Sequence, residues 1–152
     1  MEGTMGCDIH LYKEKKENDI WVTADINWKV DHEYPDDVPD IPVEQNNINR
    51  NYDLFGLLAD RVRTHFDYSF KVQGLPTDAC LLVKNISERW GIDAHNHSYI
   101  SLNELRRMAV DLLLMGNSSI TKWQLRGISN ILKLFPDDVD GDDYRVVFWF
   151  DN

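Results

Sequence analysis

Apolar and polar positions alternate every second residue at both ends of the chain and follow a helical period in between. Segments 7–13 and 20–28 bracket the turn-like Glu17-Asn18-Asp19. In the second segment Ile20, Val22, Ala24, Ile26 and Trp28 alternate with Trp21, Thr23, Asp25 and Asn27, which predicts a β-hairpin with one buried face. In the first, Cys7, Ile9 and Leu11 share one face, and Asp8, His10 and Tyr12 share the other. Residues 31–51 carry Pro35, Pro39, Pro42 and many Asp and Asn, so they form a long loop, and such loops in compact domains are often functional.

Four helical patterns follow. Asp53 can cap a helix over 54–63, whose Leu54, Leu57, Leu58 and Val62 fall on one stripe. Pro76 and Thr77 introduce a helix over 78–90, with Ala79, Leu82, Val83, Ile86 and Trp90 inward and Gly91 just past its end. Ser101 and Glu104 form a capping-box pair that opens the run to Met115, closed by Gly116-Asn117. Ser119 or Thr121 opens the last helix, through Trp123, Ile128, Ile131, Leu132 and Phe135 to the stop at Pro136. Residues 144–150 are dense in β-formers and make a final strand.

Strands at both ends with helices between them predict an α+β fold. It is a small antiparallel sheet, the N-terminal hairpin plus the C-terminal strand, packed by about four helices. Alternation sets Val146, Phe148 and Phe150 on one face and Val147, Trp149 and Asp151 on the other. Phe148 and Phe150 then join Ile9 and Leu11 under the helices, while Trp149 and Asp151 share a face with Asp8 and His10. If the loop carrying His95 and His97 reaches that face, Asp8, His10, His97 and Asp151 converge in a single pocket.

Composition narrows the function classes. A length of 152 residues suits a single domain over 5–152, with Met5 a plausible native start, and no internal repeat or linker divides it. Formal charge is −10, which repels a nucleic-acid backbone and argues against general nucleic-acid binding; a small anion needs local cations or helix ends to overcome it. Cys7 and Cys80 form no CxxC or disulfide framework, and Cys7 reads as a small buried hydrophobe. No apolar stretch approaches the roughly 20 residues of a membrane span and no signal-peptide core is present, so the expected setting is cytoplasmic.

The most chemical stretch is Asp93-Ala94-His95-Asn96-His97-Ser98. In extended chain His95 and His97 point the same way, beside the positive end of the helix that Ser101 opens, where an anion can be held. His-x-His leaves a tetrahedral metal site incomplete, so a divalent metal needs Asp8, His10, Asp93 or Asp151 as well. The plainer reading is a pre-helix turn with one histidine capping and the other exposed. Asp8 and His10 on one strand face suit acid–base chemistry or metal ligation, or simply face solvent. At 49–53, Arg50 has the planar fork for phosphate or carboxylate and Tyr52 can stack on a base; structurally, Asp53 is a cap and Arg50 a surface residue. The acidic run 136–143 fails as a calcium loop, because Pro136 and Val147 fall at its first and last ligand positions. Walker and Gly-x-Ser-x-Gly patterns are absent.

Four separated blocks resemble a family of short proteins from tailed phages and bacteria. They are Met-Gly-Cys-Asp-Ile-His at 5–10, Arg-Asn-Tyr-Asp-Leu-Phe at 50–55, Trp-Gly-x-Asp-x-His-x-His-Ser at 90–98, and Val-Phe-Trp-Phe-Asp-Asn at 147–152. The chain departs from the pattern at Asn96, at Tyr99 in place of Trp, and at Gln73, where an Arg often precedes Gly-Leu-Pro. The resemblance implies a phage context and no particular chemistry. Small phage proteins often counter host defence, some by capturing or cleaving nucleotide-derived signals.

Three functions are compatible with these residues. The leading one is a binding module for a small anionic, nucleotide-like ligand, sequestering a host defence signal. Its candidate contacts are Asp8, His10, Arg50, Tyr52, His95, His97 and Asp151. An alternative is a metal-dependent hydrolase, a phosphoesterase, with His95, His97, Asp8 and His10 as ligands or acid–base groups. The third is an acidic protein–protein inhibitor acting through loops 31–40 and 137–143. Homo-oligomerisation is compatible with each.

Overall fold

A computed structural model describes residues 6–33 and 37–152; Met5 and Pro35 lie outside the described residues. Strand β1 (Asp8–Glu17) turns back into β2 (Ile20–Thr23) through Asn18 and Asp19, which both hold positive φ, the geometry of a tight hairpin turn. A short ribbon, β3 (Lys29–Val30) with β4 (Pro39–Asp40), interrupts the predicted loop. Helices α1 (Tyr52–Leu58) and α2 (Leu81–Trp90) lead to β5 (His95–Ser101). Helices α3 (Leu102–Leu114) and α4 (Ser119–Leu132) precede β6 (Tyr144–Asp151). The fold is α+β, with one four-stranded antiparallel sheet in the order β2-β1-β6-β5.

Strand β6 is central and covered on both sides. Phe148 and Phe150 pair with Leu11 and Ile9 and face α1, α3 and α4, in a core with Leu54, Phe55, Leu105 and Ile128. Tyr12, Val147 and Trp149 face the other way, against Val83, Ile86 and Trp90 of α2. No helix among the described residues is long and apolar enough to cross a membrane.

Several elements differ from expectation, each for a local reason. Strand β2 ends at Thr23, short of Trp28, and leaves Ile20 and Ile26 about two-thirds exposed at 65% and 66%. There Thr23 Oγ1 accepts from the Asp25 N–H, and buried Asp25 accepts from the Lys13 N–H and from Asn46. Such side-chain bonds compete with the ladder. Helix α1 is capped by Asn51, whose side chain accepts from the Leu54 N–H, and Asp53 merely occupies its first turn. It stops at Leu58, where Ala59 turns extended and Asp60 and Leu57 bond to Phe70 of the returning chain, whose Thr64 carbonyl leaves no room for a Cβ on Gly56.

Helix α2 begins at Leu81, after Asp78 has turned aside to pair with Arg145 at 3.0 Å. Its first orphan donor, the Cys80 N–H, gives to Glu14 Oε2 at 2.7 Å, so a carboxylate from β1 does the work of a local cap. Glu14 is fully buried, and its Oε1 takes the Arg145 Nε at 2.7 Å from the adjacent position on β6. The Arg145 guanidinium also lies 4.0 Å from the Trp21 ring centroid. This pair ties three elements together, so removing one partner strands a buried charge. Glu14→Ala should cost about 3–5 kcal/mol in urea unfolding, whereas Glu17→Ala, at the exposed end of the same strand, should stay within about 0.5 kcal/mol of wild type.

Candidate functional site

The histidine motif is a strand, not a pre-helix turn. Residues 95–101 add the fourth strand to the free edge of β6, and Ser101 then caps α3 with the expected reciprocal Ser101–Glu104 bonds. The strand carries a bulge. His95 pairs with Phe150 and Ser98 with Phe148, three steps against two, and Asn96 absorbs the extra residue at φ 55.

That bulge sends His95 and His97 to opposite faces. The His95 ring lies beside Phe150, with Nε2 3.1 Å from Asn152 Oδ1. The His97 ring lies 5.4 Å from Trp149, with Nε2 3.1 Å from Ser87 Oγ on α2. The two histidines therefore do not form one ligand pair, and the quartet His95, His97, Asp8 and His10 is not assembled. Among the described residues no group of three His, Cys, Asp or Glu side chains is placed to hold a metal. The Ser87–His97 spacing suits a nucleophile and its base, but both residues are half-buried against the underside of α2.

Asp8 and His10 stand on the face that alternation assigns them, opposite Asp151 and Trp149 of β6. His10 Nε2 is 3.2 Å from Asp151 Oδ2, and the His10 ring packs 4.4 Å from Trp90, at the end of α2. His97 shares this sheet face but lies across Trp149, on the far flank of β6. Asp8, His10 and Asp151 thus come together, and His97 and His95 do not join them.

Arg50 and Tyr52 are both engaged. Arg50 grips Asp8 through two bonds, Nε to Oδ1 at 2.8 Å and Nη2 to Oδ2 at 3.3 Å, and a Cβ on Gly6 would collide with its guanidinium. That hydrogen bonding holds the Asp8 carboxyl below the usual carboxylate range. The Tyr52 hydroxyl accepts the Cys7 N–H at 3.1 Å, and the Arg63 guanidinium lies 4.9 Å from the Tyr52 ring centroid, on the face a base would need. Burial raises the Cys7 thiol and lifts Cys80 to about 11, so neither supplies a thiolate at neutral pH.

Asp8 and His10 open onto a groove of about 1030 Å3 between β1, the end of α2 and residues 29–33 and 40–47. Tyr12 and Trp90 line it as well. Among the described residues its lining holds five carboxylates, Asp8, Asp31, Glu33, Asp40 and Glu44, with the cations Lys29 and Arg89 and the imidazoles of His10 and His32. Arg89 is bonded to Asp40 at 3.1 Å, and the Tyr12 hydroxyl donates to the other Asp40 oxygen at 3.0 Å. Sequence reasoning placed Tyr12 on the correct face and Trp90 on the inner side of its helix, but joined neither to a site. Asp40 stands out in the sequence only as part of the acidic loop 31–40, and its pairing with Arg89 carries no signal because the two lie 49 residues apart.

Comparison of the chain with protein-family models, with curated proteins and with solved structures finds no match.

Burial, and secondarily the charge of His95, depresses His97 below its ordinary 6.5. The unfolded chain then binds more protons than the folded one in the window under that value. His97 therefore contributes stability above pH 6.5 that drains as the pH falls through the window beneath it. Urea midpoints measured from pH 8 down to pH 5 should fall more steeply for wild type than for His97→Asn.

Proposed function

We propose that this chain is a binding protein whose groove beside His10 receives a basic segment of a partner protein. The observation that carries this is the charge of the groove walls among the described residues: with Asp8 held by Arg50 and Asp40 by Arg89, the carboxylates of Asp31, Glu33 and Glu44 stand against Lys29. Beneath them buried Tyr12 makes a low-dielectric floor that strengthens their pull on a cation, and the partly exposed Trp90 offers it an aromatic surface. Val43, almost fully exposed on the rim, adds apolar contact. This is the acidic-inhibitor reading, acting through Asp31, Glu33 and Asp40 of the expected acidic loop. The second acidic loop contributes less, because its Asp137 and Val139 carbonyls accept from Arg106 and its Asp142 accepts from Asn103. The resemblance of four sequence blocks to phage and bacterial proteins makes a host-cell partner, in the cytoplasm, part of the same proposal.

The same charge count weighs against a small anion in this groove, and the side chains expected to hold one are engaged elsewhere. The nucleotide reading keeps one supporting observation. The Arg50–Asp8 pair is about half exposed on both sides and so screened by water, and a phosphate can replace Asp8 there at little loss. A phosphoesterase gains no comparable support.

Thermal unfolding separates these readings. An arginine-rich peptide at about 100 times its Kd should stabilise by about 2.7 kcal/mol, and Glu33→Gln with Glu44→Gln should remove the shift. A shift with nucleoside phosphates that disappears in Arg50→Gln, with none from the peptide, would overturn the cation reading in favour of the anion one.

A further inference from the structure

The helical hairpin on the opposite side of the sheet has the reverse character. Segment 102–135 holds five bases and two acids in a chain of net charge −10. Between Val110 and Trp123, six large apolar side chains stay exposed where α3 turns into α4: Val110, Leu113, Leu114, Met115, Ile120 and Trp123, at 45% to 81% of their surface. Isolated exposed apolar residues are ordinary, but this many around one turn is not.

The periodicity shows two faces on each helix. On α3, Leu105, Met108 and Leu112 are buried in the core, while Arg107, Val110 and Leu114 recur on the outer stripe. On α4, Ile128 and Ile131 are buried, and Gly127 lets Leu54 approach within 2.6 Å of where its Cβ would be. Ile120, Trp123, Lys122 and Arg126 point outward, with the Arg126 guanidinium 5.4 Å from the Trp123 ring centroid. The two acids of the segment are both occupied, Glu104 in the α3 capping box and Asp111 accepting from Tyr68. An apolar centre with Trp and Met, flanked by exposed Arg and Lys, has the composition of an interface core.

We infer that the α3–α4 turn is a docking surface for an acidic amphipathic segment of another protein. Charge complementarity selects this occupant. A second copy joined by a twofold axis would set this basic patch against the same basic patch, cations facing cations with no unoccupied carboxylate of the segment between them, which is repulsive. An acidic segment pairs with those cations while its apolar side covers Leu114 and Trp123. This surface is separate from the groove of the preceding section and carries the opposite charge.

Selection from a random-peptide display library against the intact protein tests the inference. Retained peptides should be enriched in Asp and Glu interspersed with apolar residues, and their binding should weaken at least tenfold in Lys122→Glu with Arg126→Glu and in Trp123→Ser. These positions are exposed, and circular dichroism checks that each variant folds. Enrichment of basic or uncharged peptides, equal binding to the variants, or no enrichment would overturn the inference. So would binding to phosphatidylserine vesicles, or self-association in sedimentation equilibrium, that Trp123→Ser abolishes while peptide binding is absent.

Discussion

Burial of β6 on both faces is the constraint from which the rest of the structure follows. Residues 146–150 are Val-Val-Phe-Trp-Phe, and each is fully buried. An antiparallel sheet often leaves one side wet, but a run without a polar position requires cover above and below. Three helices cover the Phe148–Phe150 side, and α2 with the long loop covers the Val147–Trp149 side. Strand β5 satisfies the remaining backbone edge of β6. The histidine motif is drawn into the sheet for that reason: an open edge beside an apolar strand is a liability, and residues 95–101 close it.

The α2 side shows how the candidate groove arises. Along this face the cross-strand pairs run Glu14–Arg145, Tyr12–Val147, His10–Trp149 and Asp8–Asp151. Polar pairs stand at the ends and aromatic ones in the middle. The start of α2 seals the Glu14 end, where the Cys80 N–H and Asp78 complete the ion pair. The last residue of α2, Trp90, reaches only as far as His10, so Asp8 and Asp151 lie beyond its cover. Residues 29–33 and 40–47 line that open end. Asp40 anchors them, accepting from Tyr12 in the sheet and from Arg89 in α2. The groove is thus the uncovered end of one packed layer, walled by an acidic loop.

The sequence was most informative where structure depends on periodicity and least where it depends on distant partners. Alternation separated Ile9 and Leu11 from Asp8 and His10, and Phe148 from Trp149, and the Ser101–Glu104 cap marked the start of α3. Each rests on residues two to four positions apart. The short β2 was hidden because Asp25 reads as the polar half of an alternation, whereas burial against Lys13 and Asn46 makes it a strand terminator. The α2 boundary was hidden because its capping carboxylate comes from β1. For His95 and His97, a single residue decided the outcome. Asn tolerates positive φ, and at Asn96 that freedom becomes a bulge that reverses one histidine relative to the other. Ligand charge was the least legible feature. Arg50, Tyr52 and the histidines stood out as an anion-binding set, but only the fold shows that Asp8 occupies Arg50 and that Asp31, Glu33 and Glu44 line the same groove.

The two charged surfaces are separate because the sheet lies between them. One is an acidic groove on the α2 side; the other is a basic, apolar helical turn on the side of α3 and α4. Packed layers stand about 10 Å apart, and screening at physiological ionic strength reduces charge interactions beyond about 8 Å. Each surface therefore presents its local sign to whatever approaches, although the chain as a whole is strongly acidic. Net charge describes the average repulsion of nucleic acid, but recognition at contact follows the residues within a screening length. On that scale Asp31, Glu33 and Glu44 set the local sign of the groove, and Arg107, Lys122 and Arg126 set the opposite sign at the helical turn.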